Sequence, residues 1–444
     1  MMSLASGLPR DLGGGLLLRQ ATAADVEALV QFNGTVHAED KPFNTAVAAI
    51  SREGLAGQHP TLGPSDHLIV EATPTGEIVS SIQFIPQTWS YAGIPFGIGR
   101  IEAVGTLPEY RRKGLVRHQM DVAHQWAAER GHLATFITGI PWYYAQFGYE
   151  QAVVFRTGRT IFPALVPPLP EGQTEPFHVR AATTADVPFI AARYAAATQR
   201  YLLTTVYSAD LWRFDMTGRD PASLAAVTMA IIETPTGEAV GWLEHSNELF
   251  GGNLSTHNFE IIPGVSWLAV TPSVLRHLLA VGQQMAAPTG QPLRRLSLRG
   301  EAHPAFQAFP ERFIAMHRAN WNAYMRVPDI AAFLRHITPA LEERLARSVA
   351  VGHTGALTLH WYRDGVQLTW EQGRLVGIEP WQPPRPENGD AAFPELTFLR
   401  RLFGWQTQEE LEAGFNDAFS ASPEVRVLLN ILFPKEPSYI RSVS

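Results

Sequence analysis

The chain has no cysteine among its 444 residues. This absence excludes disulfide bonds, thiolate catalysis, acyl-cysteine intermediates and metal sites built on Cys. Any acyl transfer must therefore be direct or use another nucleophile. The 15 histidines show no paired spacing that predicts a metal site, so we expect no metal.

Positive charge is also scarce, since 35 Lys and Arg stand against 42 Asp and Glu and the formal net charge is −7. A nucleic-acid partner is not expected, because phosphate-backbone binding demands an excess of basic residues. No run approaches the roughly eighteen apolar residues of a membrane span. The first residues, MMSLASGLPRDLGGG, lack the apolar core of a signal peptide and predict a disordered leader, and hence a cytoplasmic protein.

A tandem repeat organises the first two thirds of the chain. The stretch LRQATAADV at 18–26 is echoed by VRAATTADV at 179–187, and TPTGE at 73–77 recurs at 234–238. Both pairs are 161 residues apart, which indicates duplication of one domain. Each copy combines a short strand, a Thr N-cap with an acidic residue three positions later, a helix and a hairpin. The predicted fold is mixed α/β.

The last segment begins with the helix-like run IAAFLRHITPALEERL and continues through the alternating runs ALTLHWY, VQLTWEQ and GRLVGIEP. This pattern predicts a helix and small-sheet layer. A chain of this length is expected to form about three domains. We predict a leader at 1–15 and domains at 16–170, 176–327 and 328–444.

The most informative stretch is RIEAVGTLPEYRRKGLVRHQMDVAHQWAAERG at 100–131. It predicts a strand over 100–106, a tight loop, and a helix from about Lys113 to Arg130 that Gly131 caps. The apolar positions fall on one helix face, namely Val116, Met120, Ala123 and Ala127.

Three cations precede Gly114 at the predicted helix start: Arg111, Arg112 and Lys113. A glycine permits close backbone approach, and the free N–H groups and dipole of a helix N-terminus favour anions. This site fits a pyrophosphate. The alternative is a solvated basic turn without a ligand.

The stretch VGTLPEYRRKGLV resembles the acetyl-CoA loop of the GNAT superfamily of N-acetyltransferases, whose pattern is R/Q-x-x-G-x-G/A after a central strand. Arg111, Gly114 and Val116 occupy the three pattern positions. Val116 departs from the usual small residue, as in the RRRGLL-type loops of the branch called Eis, for enhanced intracellular survival. Downstream, GIPWYYAQFGYE resembles the same branch's signature of a tyrosine three residues before Phe-Gly-Tyr, and Tyr144 takes that position.

The resemblance implies an architecture of two tandem GNAT-fold domains followed by a sterol-carrier-like α+β domain. It also implies a homo-oligomer, in the form of a ring-like assembly such as a hexamer. The second copy, SWLAVTPSVLRHLLAVGQQM, is interpreted as a strand with Pro272 in the place of Pro108 and has no RRKG equivalent. We therefore expect a degenerate second domain and one active site per chain.

The resemblance also assigns roles to residues around acetyl-CoA. Backbone groups of 104–106 would bind pantetheine, and residues 111–117 would surround the pyrophosphate. The implied cofactor-binding residues are Val104, Gly105, Thr106, Arg111, Arg112, Lys113, Gly114, Leu115, Val116, Arg117 and Gly139. Tyr144 would be the general acid, since a phenol near the thioester sulfur can protonate CoA as it leaves. The alternative for Tyr144 is an aromatic core residue.

The general base has several candidates. The Eis resemblance implies the terminal carboxylate, here that of Ser444, although PSYIRSVS lacks the aromatic terminus found in that branch. Glu102 is the local alternative, because it lies on the same strand face as Val104, unless it is an exposed or salt-bridged glutamate. Water is the third.

The acceptor site is predicted at His37, Glu39 and Asp40, which follow the first helix and could hold an ammonium; the alternative is a solvated helix end. The expected function is transfer of acetyl from acetyl-CoA to a primary amine of a small polycationic molecule, aminoglycoside- or polyamine-like, or to a lysine side chain. A non-catalytic sensor of acyl-CoA or lipid is the alternative.

Overall fold

The computed structural model describes residues 7–38, 41–155, 157–315 and 322–441. Within these ranges the chain forms three β-sheets flanked by helices, so the predicted mixed α/β fold class is confirmed. No helix in these ranges is both long enough and apolar enough to cross a membrane.

Strands and helices are both distributed along the whole of the described chain. The strands up to residue 181 are β1 (Arg10–Gly13), β2 (Leu16–Gln20), β3 (His67–Ala72), β4 (Glu77–Tyr91), β5 (Ile94–Thr106), β6 (Ala134–Gly139), β7 (Glu150–Val153), β8 (Gly158–Ile161) and β9 (His178–Ala181). The later strands are β10 (Leu203–Thr205), β11 (Val227–Glu233), β12 (Ala239–Ser246), β13 (Asn253–Ile261), β14 (Arg295–Arg299), β15 (Ile314–Ala315), β16 (Asn322–Arg326), β17 (Gly355–His360), β18 (Gly365–Glu371), β19 (Arg374–Trp381), β20 (Ala391–Ala392) and β21 (Phe419–Ser420). The α-helices are α1 (Val26–Val36), α2 (Thr45–Leu55), α3 (Leu115–Glu129), α4 (Val187–Thr198), α5 (Ala209–Thr217), α6 (Trp267–Ala286), α7 (Ala305–Ala308), α8 (Ile330–His336), α9 (Thr338–Ala346), α10 (Phe398–Leu402), α11 (Gln408–Gly414) and α12 (Pro423–Leu432).

The first two sheets repeat one strand order. The first sheet runs β1-β2-β3-β4-β5-β6-β16-β7, with β10 paired to the far end of β4. The second runs β15-β8-β14-β13-β12-β11-β9. The path β2-β3-β4-β5-β6 matches β9-β11-β12-β13-β14, and in both paths the last pair is parallel and the others are antiparallel. The two copies found in the sequence therefore have one topology.

Three strands lie outside the sheet of their own copy, and one of them is β10, which pairs with β4. β8 belongs by sequence to the first copy but pairs with β14 in the second sheet. β16 lies within the predicted second domain but is placed between β6 and β7 of the first sheet. Contiguous sequence boundaries therefore do not separate the two sheets, and the predicted limits at 170 and 327 stay predictions.

The third sheet, β19-β18-β17-β20-β21, carries the alternating runs of the last segment. The helix-like run before it forms α8 and α9. Side chains of these helices share one apolar core with the first sheet, including Phe333 and Leu334 against Phe96 and Phe136. The last segment thus packs directly on the first sheet.

Helix α3 lies on the other face of the first sheet, as its apolar period predicts. Met120, Ala123 and Ala127 are buried in one cluster with β3, β4 and β5, and Val116 is half-buried beside them. Gly131 follows the helix with a left-handed backbone, φ 69°, as expected of a residue that ends a helix.

Two sequence predictions are wrong. Residues 10–13, which were expected in a disordered leader, form β1 and pair with β2. The run WLAV before Pro272 is the first turn of α6 and not a strand. A four-residue apolar run is compatible with either state, and here the helix continues through Pro272 to Ala286. The strand equivalent to β5 is β13.

Each copy begins with the predicted N-cap. Thr22 and Asp25 form a capping box, and so do Thr183 and Asp186. Arg19 pairs with Asp25 at 2.7 Å and with Glu71 at 2.6 Å. Arg180 makes the same two kinds of contact, with Asp186 and Glu233.

Replacing Asp25 by Asn is expected to lower the free energy of unfolding by about 1 kcal/mol at pH 7. Hydrogen bonds from Arg19 hold the pKa of Asp25 at about 2, below its ordinary 3.8. A carboxyl group whose pKa is lowered by folding stabilises the fold at pH values above its unfolded-state pKa. This stabilisation is lost as the pH falls from 3.8 towards 2. Urea unfolding at pH 7 and at pH 3 should therefore show a smaller difference between variant and wild type at the lower pH.

The control is Asp186→Asn in the second capping box. Its effect should be smaller, because the Arg180 side chain is 40% exposed and that of Arg19 is 23% exposed. If Asp25→Asn lowered the free energy of unfolding equally at pH 7 and at pH 3, the assigned ion pair of Asp25 with Arg19 would be contradicted.

Candidate active site

The first sheet opens between β5 and β6. In the described chain these strands pair in parallel over Ile98–Ile101 and Ala134–Ile137, whereas β5 continues to Thr106 along its other neighbour, β4. The backbone N–H and C=O groups on the open edge of β5 can therefore pair with an extended ligand.

A β-bulge lies in β5 where this opening begins. Gln83 pairs with Glu102 and Ser81 with Gly105, so one residue of β4 faces two residues of β5. Ala103, within the bulge, has a left-handed φ of 49°, which is uncommon for a residue that carries a side chain. Bulges turn backbone groups out of the ladder, and this bulge does so at the mouth of the opening.

The implied pantetheine-binding residues Val104, Gly105 and Thr106 run from the bulge to the end of β5. A Cβ on Gly105 would be 2.6 Å from Cγ1 of Val36, so this position has no room for a side chain. The carbonyl of Thr106 accepts a hydrogen bond from Nε of Arg111 at 3.1 Å. This bond ties the strand to the basic loop after it.

The loop ends in an open helix N-terminus. A 3-10 turn, Pro108–Tyr110, leads to two left-handed residues, Arg112 with φ 63° and Gly114 with φ 77°. Gly114 is the N-cap of α3, and no described side chain caps this helix. A Cβ on Gly114 would meet no atom within 4 Å. First-turn N–H groups and a positive dipole end thus face open space, as a phosphate site requires.

The side chains of this loop add positive charge. Residues 111–114 are exposed, and Nζ of Lys113 lies 4.7 Å from the centre of the Tyr110 ring. Arg117, in the first turn of α3, donates to Oε1 of Gln146 at 2.8 Å. With Leu115 and Val116, these are the residues that the sequence predicts around a pyrophosphate, and we call residues 111–117 the cofactor cradle of that prediction.

Tyr144 lies on the β6 side of the opening, in the 3-10 turn Tyr143–Phe147. It is buried among aromatic rings, with centroids of Tyr143 at 5.1 Å and of Tyr324 at 5.8 Å. Burial, and then the charge of Glu102, raise the pKa of Tyr144 well above its ordinary value of 10. Gly139, at the end of β6, faces this ring, since a Cβ there would lie 3.1 Å from Cε2 of Tyr144. Tyr144 therefore holds its proton at neutral pH.

Glu102 directly follows Ile101, the last residue of β5 that pairs with β6, so it lies where the opening begins. Its Oε1 accepts a hydrogen bond from Nε of Arg100 at 2.7 Å, and the Arg100 guanidinium is 1% exposed. Glu102 is thus the salt-bridged glutamate that the sequence allowed as an alternative to a base, and it still borders the opening.

His37 ends α1 beside the bulge. Burial lowers its pKa, against the opposing effects of the Ala103 carbonyl and Glu102. Its Nε2 is buried without a hydrogen-bond partner among the described residues. A neutral imidazole with an unpaired nitrogen can accept a hydrogen bond from a ligand. The predicted residues Glu39, Asp40 and Ser444 lie outside the described residues.

The structure thus gathers Glu102, His37 and Tyr144 around one opening whose far end is the basic loop. Sequence reasoning missed Arg100, the left-handed Ala103 and the contact of Arg100 with the carbonyl of Arg441 at 3.1 Å. The available signal for Arg100 was a cation two residues before Glu102 in a largely apolar and glycine-rich strand. No group of three or more His, Asp or Glu in the described ranges is placed to hold a metal ion.

Comparison with known families places this site in a recognised domain. Residues 18–152 match the model of the acetyltransferase (GNAT) domain. This range contains the bulge, the basic loop, Glu102 and Tyr144. A search of curated proteins found no significant match.

Several solved structures share the fold over nearly the whole chain. A probable N-acyltransferase from Enterococcus faecalis is 12% identical, with a TM-score of 0.66, and the match covers 97% of this chain and 100% of that one. A GCN5-related N-acetyltransferase from Anabaena variabilis is 13% identical, with a TM-score of 0.63 and coverage of 96% and 99%. Eis1 from Mycobacterium abscessus is 15% identical, with a TM-score of 0.61 and coverage of 96% and 99%.

The domain match over residues 18–152 confirms the prediction of an acetyl-CoA-dependent N-acetyltransferase, and the solved structures show the shared fold. GNAT domains use acetyl-CoA, and the open edge of β5 together with the uncapped start of α3 fits that co-substrate.

Proposed function

We propose that this N-acetyltransferase moves the acetyl group of acetyl-CoA directly to a primary amine of a small polycationic molecule, aminoglycoside- or polyamine-like, or to a lysine side chain. The observation that carries the proposal is that Tyr144 packs against Gly139 at the end of β6, while Glu102 directly follows the last pair of β5 with β6. An acid and a carboxylate on either side of one cleft are what acyl transfer to an amine requires.

The chain's own groups divide the work of binding the co-substrate. The N–H groups at the start of α3 and the cations at 111–113 hold the pyrophosphate, and the backbone of Val104, Gly105 and Thr106 pairs with pantetheine. Gly139 keeps the facing edge free of a side chain. When bound, acetyl-CoA supplies an acyl carbon that its thioester makes open to attack.

Tyr144 and Glu102 move the protons. The amine lone pair forms the new C–N bond as the C–S bond breaks, and Tyr144 donates its hydroxyl proton to the departing sulfur. Glu102 accepts the surplus proton of the amine. Both Arg100 contacts reach Oε1 of Glu102, so the proposal places the amine at Oε2. The carboxylate of Ser444 and a water molecule are the other candidates for the base.

The acceptor side is assigned to His37, Glu39 and Asp40. The unpaired Nε2 of His37 would accept a hydrogen bond from the amine, and the two acidic residues would attract further ammonium groups. The net charge of −7 supports a cationic acceptor through long-range attraction.

The architecture is proposed to be Eis-like: a catalytic and a degenerate GNAT domain, a sterol-carrier-like last domain, and a homo-oligomer. The repeated strand order of the two sheets and the likeness to Eis1 over nearly the whole chain support it.

Purified protein is expected to release CoA from acetyl-CoA when polyamines or aminoglycosides are added, and to release it faster for acceptors with more amines. Thiol release is followed with a chromogenic disulfide, lysine peptides are assayed in parallel, and singly charged amines serve as the matched acceptors. Binding of acetyl-CoA without turnover on any amine would overturn the proposal and favour the sensor alternative.

A further inference from the structure

The second sheet has its own opening, equivalent to the one that forms the candidate active site. β13 and β14 pair in parallel over residues 253–256 and 295–298, whereas β13 continues to Ile261. A register shift in the pairing with β12 leaves His257 as an extra residue, directly after the parallel pairs. The bulge and the opening of the first sheet are thus repeated in the second.

The repeated opening lacks the basic loop. The residues between β13 and α6 read IPGVS and include no cation, so the start of α6 has no counterpart of 111–113. The second opening therefore cannot hold a pyrophosphate as the first does.

A segment from the other end of the chain lies in this second opening. We call residues 437–441 the anchor segment. The Tyr439 hydroxyl donates to the carbonyl of His257, in the bulge, and contacts Oδ1 of Asn258 at 2.8 Å. Tyr439 also lies near Gly300, the residue after β14, where a Cβ would be 3.6 Å from Cδ2 of Tyr439 and closer still to the hydroxyl of Tyr201. The rings of Tyr439 and Tyr201, with centroids 5.2 Å apart, thus both lie at the second opening.

The anchor segment then continues to the first sheet. The backbone N–H of Tyr439 donates to the carbonyl of Leu203 at 2.7 Å, and that of Leu202 donates to the carbonyl of Pro437 at 2.9 Å. These bonds lay the segment along β10, which pairs with β4.

Arg441 ends the anchor segment with contacts to both copies. Its buried guanidinium donates to Glu244 at 2.7 and 3.0 Å and to Asp215 at 3.0 Å. Its carbonyl accepts a hydrogen bond from Arg100 at 3.1 Å. Arg100 in turn holds Oε1 of Glu102. A continuous set of hydrogen bonds therefore runs from the second sheet to the candidate base.

We infer that the second opening is an internal docking site for the anchor segment, and that Arg441 is a positioning residue that fixes Arg100 and Glu102 from the second copy. The inference rests on the proposed role of Glu102. It gives the degenerate copy a function, which is to hold the anchor segment against the strand that carries the base.

Arg441→Met is expected to lower kcat about 10- to 100-fold, as small displacements of catalytic groups do, with the KM for acetyl-CoA within about threefold. The cofactor cradle at 111–117 does not contact the anchor segment, so the loss should appear in kcat and in the KM for the amine. Arg441→Lys should recover part of the activity, because a lysine keeps one charged contact to Glu244.

The matched control is Arg180→Met, which breaks a surface ion pair of the same copy and should change kcat less than about twofold. In a double-mutant cycle, adding Arg441→Met to Glu102→Gln should lower kcat little further, because both substitutions act through the Glu102 carboxylate. Fully additive losses, or equal losses for Arg441→Met and Arg180→Met, would mean that Arg441 has a structural role alone and would overturn the inference.

Hydrogen exchange tests the docking without activity. In Arg441→Met, and less so in the isosteric Tyr439→Phe, amides of β5 near Arg100 should exchange faster, with those of α3 unchanged. Unchanged exchange in β5 would overturn the inference. A wild-type protein without amine-dependent CoA release would refute the proposed function instead, and the exchange result would still decide whether the anchor segment supports β5.

Discussion

Replacing Tyr144 by Phe is expected to lower kcat at least about 100-fold with the KM for acetyl-CoA within about threefold, since general acids contribute on this scale. The hydroxyl is the group lost, and the ring keeps its packing against Tyr143 and Tyr324. Because burial raises the pKa of Tyr144 well above 10, the wild type keeps this proton throughout the assay range. Its kcat should therefore show no alkaline loss from Tyr144 below pH 10. Steady-state thiol release from pH 6 to 9.5 measures both expectations.

The control for Tyr144→Phe is Tyr143→Phe. Both residues lie in one 3-10 turn, but Tyr143 is half-buried and has no assigned proton to donate, so kcat should change less than about twofold. If Tyr144→Phe retained a third or more of the wild-type kcat, Tyr144 would be the aromatic core residue of the alternative interpretation. Thermal unfolding of both variants verifies that they fold.

Local sequence predicted the parts of the site that neighbouring residues specify. The apolar period placed α3 against the sheet, and Gly114 predicted a helix start that permits close approach, where a Cβ would meet no atom within 4 Å. The repeated Thr and Asp predicted both capping boxes. These features depend on a few consecutive residues, and their stereochemical rules are strong.

Other parts of the site depend on pairing that no short stretch specifies. The bulge at Ala103 follows from the register between β4 and β5, and nothing in an alanine predicts a left-handed backbone. β1 forms by pairing with β2. β8 lies in the second sheet and β16 in the first, each apart from the sheet of its own copy. Arg441 meets Arg100 across 341 residues of chain. Such contacts between distant residues are fixed by the tertiary fold.

The two copies show how one topology can serve two purposes. Each sheet splits beside a bulge, and the difference lies in the helix start that comes after the central strand. In the first copy the strand leads to a cationic helix start, and the opening is left to a ligand. In the second copy it leads to an uncharged one, and Tyr439 takes the opening. The lack of cations between β13 and α6 is the physical reason for our proposal that the second opening holds no pyrophosphate.

The cationic helix start can be tested by placing a carboxylate in it. Gly114→Asp is expected to raise the KM for acetyl-CoA about 10- to 100-fold. The new carboxylate would repel the pyrophosphate, and it would compete with the pyrophosphate for hydrogen bonds from the first-turn N–H groups of α3. At saturating acetyl-CoA, kcat should stay within a few-fold of wild type, since Tyr144 and Glu102 are untouched. Initial rates over a range of acetyl-CoA concentrations give both constants.

Gly131→Asp is the matched control, at the opposite end of the same helix. Gly131 also has a left-handed backbone, φ 69°, and a Cβ there would meet no atom within 4 Å. The two substitutions therefore impose a similar backbone strain and add the same charge, and they differ in whether a phosphate site is present. A KM raised equally in both variants would show that strain in α3 was the cause, whereas a rise confined to Gly114→Asp would locate the pyrophosphate at the start of α3.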